Sequence, residues 1–175
     1  LDDNGHVTID AEDVDGGSVD ACGIANLAID LNTFTCANVG DNEVIFTVTD
    51  VNGNSSTCVS TVTVEDNVAP MAVCQDITIQ LDANGNASIT TGDVDGGSTD
   101  ACGVVSLAVT PNSFTCADVG DNEVTLTVTD ANGNVSTCTS TVTVEDNVAP
   151  IAVCQDITVQ LDANGNATIN AEDID

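Results

Sequence analysis

Lysine, arginine, tryptophan and tyrosine are all absent from this sequence, which has one histidine, one methionine and three phenylalanines in 175 residues. Set against the missing cations are 29 Asp and Glu, for a formal net charge of −29 at pH 7. No side chain can neutralise these carboxylates. Their mutual repulsion keeps the chain soluble and works against compactness. Such a polyanion binds neither nucleic acid nor an anionic membrane, so those partners are excluded, and membrane insertion is not expected. Strong acidity with few aromatics can mark disorder. Here the apolar fraction is 42%, mostly Val, Ile, Leu and Ala, so the chain is expected to fold. Its partners should be cations, and a divalent ion with oxygen ligands, calcium, fits best.

Eight cysteines remain to be placed, and none of them forms a CxxC pair. With one histidine and no such spacing, zinc ligation is a poor reading. Disulfides in an oxidising, extracellular compartment are the expectation. No signal peptide, spanning segment or lipidation motif is visible, which suggests a piece of a longer secreted chain.

Self-comparison gives the organisation. The stretch 1–23 returns at 81–103, 34–54 returns at 114–134, and STVTVEDNVAP is identical at 60–70 and 140–150. The offset is always 80 without a gap, and about seven positions in ten match. VEDNVAP leads from a strand-like run into a proline, which cannot continue a ladder, so it reads as a short linker. The expected units are 1–67, lacking its first strands, 68–147, complete, and 148–175, the first strands of a third. Some 80 residues suffice for a small sandwich core that is marginal without staples.

Within the complete unit the period is two. Val124, Leu126 and Val128 alternate with Thr125, Thr127 and Thr129, and Ile77, Ile79 and Leu81 alternate with Thr78 and Gln80. Stripes of helical period are missing, so the fold class is all-β, a linear tandem of immunoglobulin-like sandwiches. DANGN at 82–86 and at 130–134 resembles the opening of a calcium loop, but its glycine comes fourth rather than sixth. Asn-Gly between alternating runs reads better as a hairpin turn.

Each full repeat carries four cysteines. Cys74 and Cys138 fall on first and last strands, neighbours in such a sandwich, and their bridge would be worth about 4 kcal/mol by chain entropy. Cys102 and Cys116 would close a shorter loop, as would Cys22 and Cys36, for about 3 kcal/mol each. Cys58 and Cys154 then need partners outside the sequence. A Cys58–Cys74 bridge would have to span an extended linker of up to about 50 Å.

AVCQDITIQLD, DACGVVSL, GDNEVTLTVTDANGNVSTCTSTVTVED and the VAP linker resemble the hyalin-repeat (HYR) family. That resemblance covers the whole chain. It implies an immunoglobulin-like fold in tandem copies, as in extracellular adhesion proteins and giant secreted bacterial surface proteins. The sequence departs from the general pattern in having no Lys or Arg.

The densest acidic cluster is DVDGGSTD, with Asp93, Asp95 and Asp100, matched by Asp13, Asp15 and Asp20. In an immunoglobulin-like domain this loop lies beside the turn bearing Asp130 (Asp50 in the first copy) and the incoming linker. The linker contributes Glu65, Asp66 and Asn67, and its second copy Glu145 and Asp146; Asp173 and Asp175 open a third set. The arrangement is similar to cadherin junctions, where linker and loop carboxylates share calcium. Converging hard oxygens without a cationic side chain need a cation among them, or else stay apart as solvated loops.

Catalysis has little support. Paired carboxylates recur every 80 residues, as suits a building block, and Ser and Thr have no base nearby. Asn54, Asn86, Asn134 and Asn166 open glycosylation sequons at turn positions, so glycans are possible partners. The leading reading is the shaft of a secreted fibre or cell-surface stalk, stiffened by disulfides and calcium, whose partners are neighbouring repeats or copies joined end to end. The competing reading is an adhesin or spacer module. Adhesive surfaces favour exposed aromatics, and Phe34, Phe46 and Phe114 sit in strand-like positions instead.

His6 is replaced by Asn86 and Asn166 in the other copies. His6→Asn should therefore shift the unfolding free energy by no more than about 0.5 kcal/mol in chemical denaturation.

Overall fold

Alternating Val and Thr suit a pleated, half-buried surface, and here they build most of the strands. The computed structural model describes residues 1–173. The first repeat holds β1 (His6–Thr8), α1 (Ala11–Val14), β2 (Ile24–Ile29), β3 (Thr33–Thr35), β4 (Gly40–Asp50) and β5 (Ser55–Val64). The second holds β6 (Ile77–Gln80), β7 (Asn86–Ser88), α2 (Thr91–Val94), β8 (Val104–Thr110), β9 (Ser113–Thr115), β10 (Gly120–Asp130) and β11 (Val135–Glu145). From β7 onward the second series repeats the first in order. The one-turn helices are an addition to the strand pattern. Each is closed by a short capping box, Asp10 with Asp13 and Thr90 with Asp93.

In the second repeat the main sheet runs β6-β11-β10-β8, and a two-stranded sheet pairs β7 with β9. β6 lies parallel to β11, Val142 facing Ile77 and Val144 facing Ile79, while the other pairs are antiparallel. The two sheets meet over one core. Val124, Leu126, Val128, Val142 and Val144 from the large sheet pack with Phe114, Ile89, Leu81 and Val94. This is a sandwich-like all-β arrangement. The turn at 130–134 is a hairpin between β10 and β11, with Gly133 at φ 92°. The turn at 82–86 differs from the sequence expectation, because β6 and β7 join different sheets.

The first repeat has the same parts except one. Its sheets are β2-β4-β5 and β1-β3, and β5 has no counterpart of β6 on its outer edge among the described residues. Its core cluster shrinks accordingly to Phe34, Val44 and Val64. Val14 and Val62 are half-buried, where Val94 and Val142 are fully buried.

Among the described residues two disulfides form. Cys74–Cys138 ties β11 to the segment before β6, Cα atoms 5.8 Å apart, as the strand positions suggested. The second is a correction. Cys36 pairs with Cys102, Cα atoms 5.2 Å apart, and so links the two repeats; Cys22–Cys36 and Cys102–Cys116 do not form. The reason is length. The residues between Cys102 and Cys116 are not a loop but contain β8, seven residues that carry the chain about 20 Å at 3.3 Å each. The two sulfurs thus lie at opposite ends of the repeat, far beyond the ~6 Å a bridge allows. β2 separates Cys22 from Cys36 in the same way. Cys22, Cys58, Cys116 and Cys154 are exposed thiols.

The two bridges should have different consequences. Cys74→Ser with Cys138→Ser should lower the second repeat's unfolding free energy by about 4 kcal/mol. Cys36→Ser with Cys102→Ser should leave both cores folded and broaden the distance between them, read by small-angle scattering.

Candidate functional site

β10 alternates inward as Val124, Leu126, Val128, and the next inward position is Asp130. A carboxylate thus ends a series of core side chains, 1% exposed. It survives there because the Asn-Gly turn wraps it with donors. The amides of Asn132 and Asn134 donate to Oδ1 at 2.9 and 2.8 Å, and the Asn134 side chain to Oδ2 at 2.7 Å. Burial works against ionisation, but the Asn134 side chain and the turn amides outweigh it, holding the Asp130 carboxyl below its ordinary pKa. Asp50 makes the same three bonds in the first repeat, where its residue is only half-buried.

The linker folds onto this turn. The Asn134 side-chain amide also donates to the Asp66 carbonyl at 3.0 Å, and the Ser136 hydroxyl to the Pro70 carbonyl. Met71 exchanges backbone bonds of 2.8 and 3.1 Å with Thr99. These contacts carry Asp66 inward to 7% exposure. Its Oδ1 accepts the Val68 amide at 3.2 Å, and its Oδ2 is buried with no hydrogen-bond partner. Ligand atoms of Asp66, Asp100 and Cys102 lie within 4.8 Å of one another. The Cys102 sulfur is committed to Cys36, so any cation there would be held by carboxylates. Hard oxygens in a half-buried pocket suit a hard cation such as calcium.

Other carboxylates expected at the junction are engaged locally. Asp93 accepts the Thr90 amide and hydroxyl at 2.6 and 2.7 Å. Asp95 accepts the Ser98 amide and hydroxyl at 2.8 and 2.7 Å, and Asp15 repeats this with Ser18. Hydrogen bonds from Thr90 lower the pKa of Asp93, and those from Ser98 lower that of Asp95. Asp13 accepts the Asp10 amide, Asp173 the Asn170 amide, and Asp20 the amides of Cys22 and Gly23. Asp100 binds Cys102 and Gly103 amides through Oδ1 while reaching Asp66. Glu65 accepts from Asn67 at the surface, Glu145 from Gln80 and Asn147, and Asp146 from the Val148 amide. Asp175 lies outside the described residues.

Of the sequons, the Asn134 amide nitrogen that would carry a glycan donates to Asp66 and Asp130 in a half-buried site. Asn54 donates to Asp50 and Asn86 to Asn84, both at exposed turns, and Asn166 is exposed. His6 does what Asn86 does, bonding the carbonyl two residues back, Asn4 at 2.7 Å. Sequence reasoning missed the pinning role of Asn134 and Ser136.

No family model matches the chain, and no curated protein does. Among solved structures it is similar to the fibronectin(III)-like modules of Clostridium thermocellum CbhA. That match has 14% identity over 74% of this chain and 82% of the other, with a TM-score of 0.31. It is also similar to SGBP-B from the Bacteroides ovatus mixed-linkage glucan utilization locus, solved with a mixed-linkage heptasaccharide. There the identity is 15% over 89% of this chain and 41% of the other, with a TM-score of 0.22. At these TM-scores neither likeness assigns a family, ligand or role.

Asp130→Ala should cost about 1–3 kcal/mol, because it strips the turn of its acceptor and leaves buried donors unpaired. A carboxyl depressed by folding stabilises above the unfolded pKa, about 3.9 for Asp, and that contribution fades as pH falls through the folded value. Acid titration of stability should therefore be shallower below about pH 4 in Asp130→Ala than in the parent.

Proposed function

We propose that this chain is part of a tandem array of hyalin-type, immunoglobulin-like repeats, forming the shaft of an extracellular fibre or cell-surface stalk. The observation that carries the reading is the Cys36–Cys102 bridge, a covalent tie between two repeats beside the linker that joins them. A shaft needs resistance to bending at each joint, and here the linker is also bonded to the Asn134 turn and to Thr99. The two disulfides suit an oxidising compartment. No helix among the described residues is long and apolar enough to cross a membrane.

Calcium at the joint is the second part of the proposal. The Oδ2 of Asp66 is buried without a hydrogen-bond partner, next to Asp100, in a chain that has no Lys or Arg. Such an atom costs several kcal/mol unless a cation or donor meets it. Asp66 and Asp100 would hold the ion, and its charge would offset local repulsion in a chain with a net charge of −29.

Small-angle scattering and thermal melting, with calcium and with EGTA at matched ionic strength, test this. Calcium at a hundredfold excess over its Kd should stabilise by about 2.7 kcal/mol and narrow the distance distribution. Asp66→Asn and Asp100→Asn should each remove the increment. Identical curves in both buffers would sink the calcium site. A distance distribution that broadens as far with the Cys36–Cys102 bridge intact as with it removed would sink the shaft.

A further inference from the structure

The two disulfides stand in unlike surroundings. Cys74 and Cys138 pack against the apolar core of the second repeat. Cys36 and Cys102, both half-buried, lie among carboxylates instead. Ligand atoms of Asp66, Asp100 and Cys102 come within 4.8 Å of one another, and the Cys36 sulfur is bonded to that of Cys102. Among the described residues no second group of His, Cys, Asp or Glu gathers in this way.

Three of these four side chains are positioned without help from the bridge. Contacts of the linker place Asp66, whose carbonyl accepts from the Asn134 side chain and whose Oδ1 accepts the Val68 amide. Its Oδ2 is buried with no partner, in a residue 7% exposed. Asp100 takes the Cys102 and Gly103 amides at 2.7 and 3.0 Å, both through Oδ1, which fixes Cys102 beside it and leaves Oδ2 for a further partner. Cys36 alone comes from the first repeat, directly after β3. The Asp2–His6 turn closes over both sulfurs. A Cβ on Gly5 would stand 2.6 Å from the Cys36 sulfur and 3.6 Å from that of Cys102, so only glycine permits the approach.

We propose that this joint is a redox-governed metal site. When a thiol opens the bridge, Cys36 and Cys102 join Asp66 and Asp100 as ligands of a thiophilic divalent ion, zinc or cadmium. Two sulfurs and two carboxylate oxygens make a full tetrahedral set for zinc. Ligands about 2.0–2.3 Å from one centre stand about 3.3–3.8 Å apart, inside the 4.8 Å that bounds the present group. Thiolate sulfur selects zinc over calcium, so opening the bridge exchanges one metal preference for another. The ion bonds Cys36 of the first repeat and three ligands of the linker and second repeat, and thus ties the units that the disulfide ties. No short motif announces such a site, because its ligands stand at 36, 66, 100 and 102.

The opening step uses a small thiol such as glutathione. Its thiolate attacks one sulfur of the bridge, forming a mixed disulfide and freeing the other cysteine. A second small thiolate attacks the mixed disulfide and frees the first. One protein disulfide and two small thiols become two protein thiols and one small disulfide. The ion then displaces the protons of both protein thiols into solvent.

This site rests on the reading of Asp66 and Asp100 as cation ligands at the joint. The test uses the whole chain with Cys22, Cys58, Cys116 and Cys154 replaced by Ser, which removes the exposed thiols. After reduction and removal of the reductant, cadmium is titrated and its thiolate charge-transfer absorbance followed. One ion per chain is expected in the reduced form, displaced by zinc, and no band in the oxidised form. Cys36→Ser, kept oxidised, leaves Cys74–Cys138 closed and Cys102 as the one free thiol, so it should give a weaker band. That variant decides the matter even where full reduction loosens the second repeat. Loss of a partner outside the ligand set alone costs about 10–100-fold in metal affinity, so Asp66→Asn and Asp100→Asn should each weaken binding about tenfold or more. Absence of the band in both the reduced chain and Cys36→Ser, or undiminished affinity in both Asp variants, would overturn the site. The calcium response is read on the oxidised chain, so failure here is distinct from failure of the hard-cation reading.

Discussion

A chain with 29 carboxylates and no Lys or Arg must stabilise its anions with dipoles instead of charges. Backbone amides and the Ser, Thr and Asn side chains are the donors at hand, and turns are where the amides stand free of the ladder. Asp2, Asp50, Asp82, Asp130 and Asp162 each cap an Asn-Gly turn, their carboxylates bonded by amides two and four residues on. Asp15 and Asp95 cap a Gly-Ser turn in the same manner. All seven carboxyls are held below their ordinary pKa, with hydrogen bonds as the lowering cause. Turn geometry and charge accommodation are therefore one device. The acidic turns that look like ion loops in the sequence are largely self-satisfied, which leaves Asp66 as the exception.

The strands form under a second constraint, the small size of each core. In the second repeat ten buried apolar residues cluster, and β6 with the segment before it completes them. Without that piece, the first repeat buries three in its cluster. A unit of this size gains little from hydrophobic burial beyond its conformational entropy cost, so cross-links carry a large share. Cys74–Cys138 acts within a core, on the chain entropy of one unit. Cys36–Cys102 closes nothing inside a sandwich and acts on the relative freedom of two.

Much of this was legible in the sequence. The 80-residue period, the two-residue alternation of β10 and β11 and the Cys74–Cys138 bridge follow from pattern and strand order. The error over Cys36 and Cys102 has a definite physical origin. Thirteen residues between cysteines read as a loop, but IANLAI and VVSLAVT within those intervals are strands. A strand puts its ends as far apart as possible, so neighbouring cysteines in sequence are opposite poles in space. The signal was Gly5 and Gly85, at turns where a side chain would strike the Cys36 and Cys116 sulfurs. The acidic loop was placed at the joint as a whole, yet only Asp100 reaches Asp66. Asp93 closes the capping box of α2, hidden in residues with no helical stripe, and Asp95 turns to Gly97 and Ser98.

The joint itself concentrates restraints of unlike kind in one small volume. Asp100 holds the Cys102 amide, Cys102 is bonded to Cys36, and Asp66 lies against both. The covalent tie fixes distance, and the backbone bonds between Met71 and Thr99 fix the path of the linker. Neither removes the repulsion between Asp66 and Asp100, which favours opening the joint. The disulfide can tolerate that pressure, because it does not depend on the charge of its neighbours.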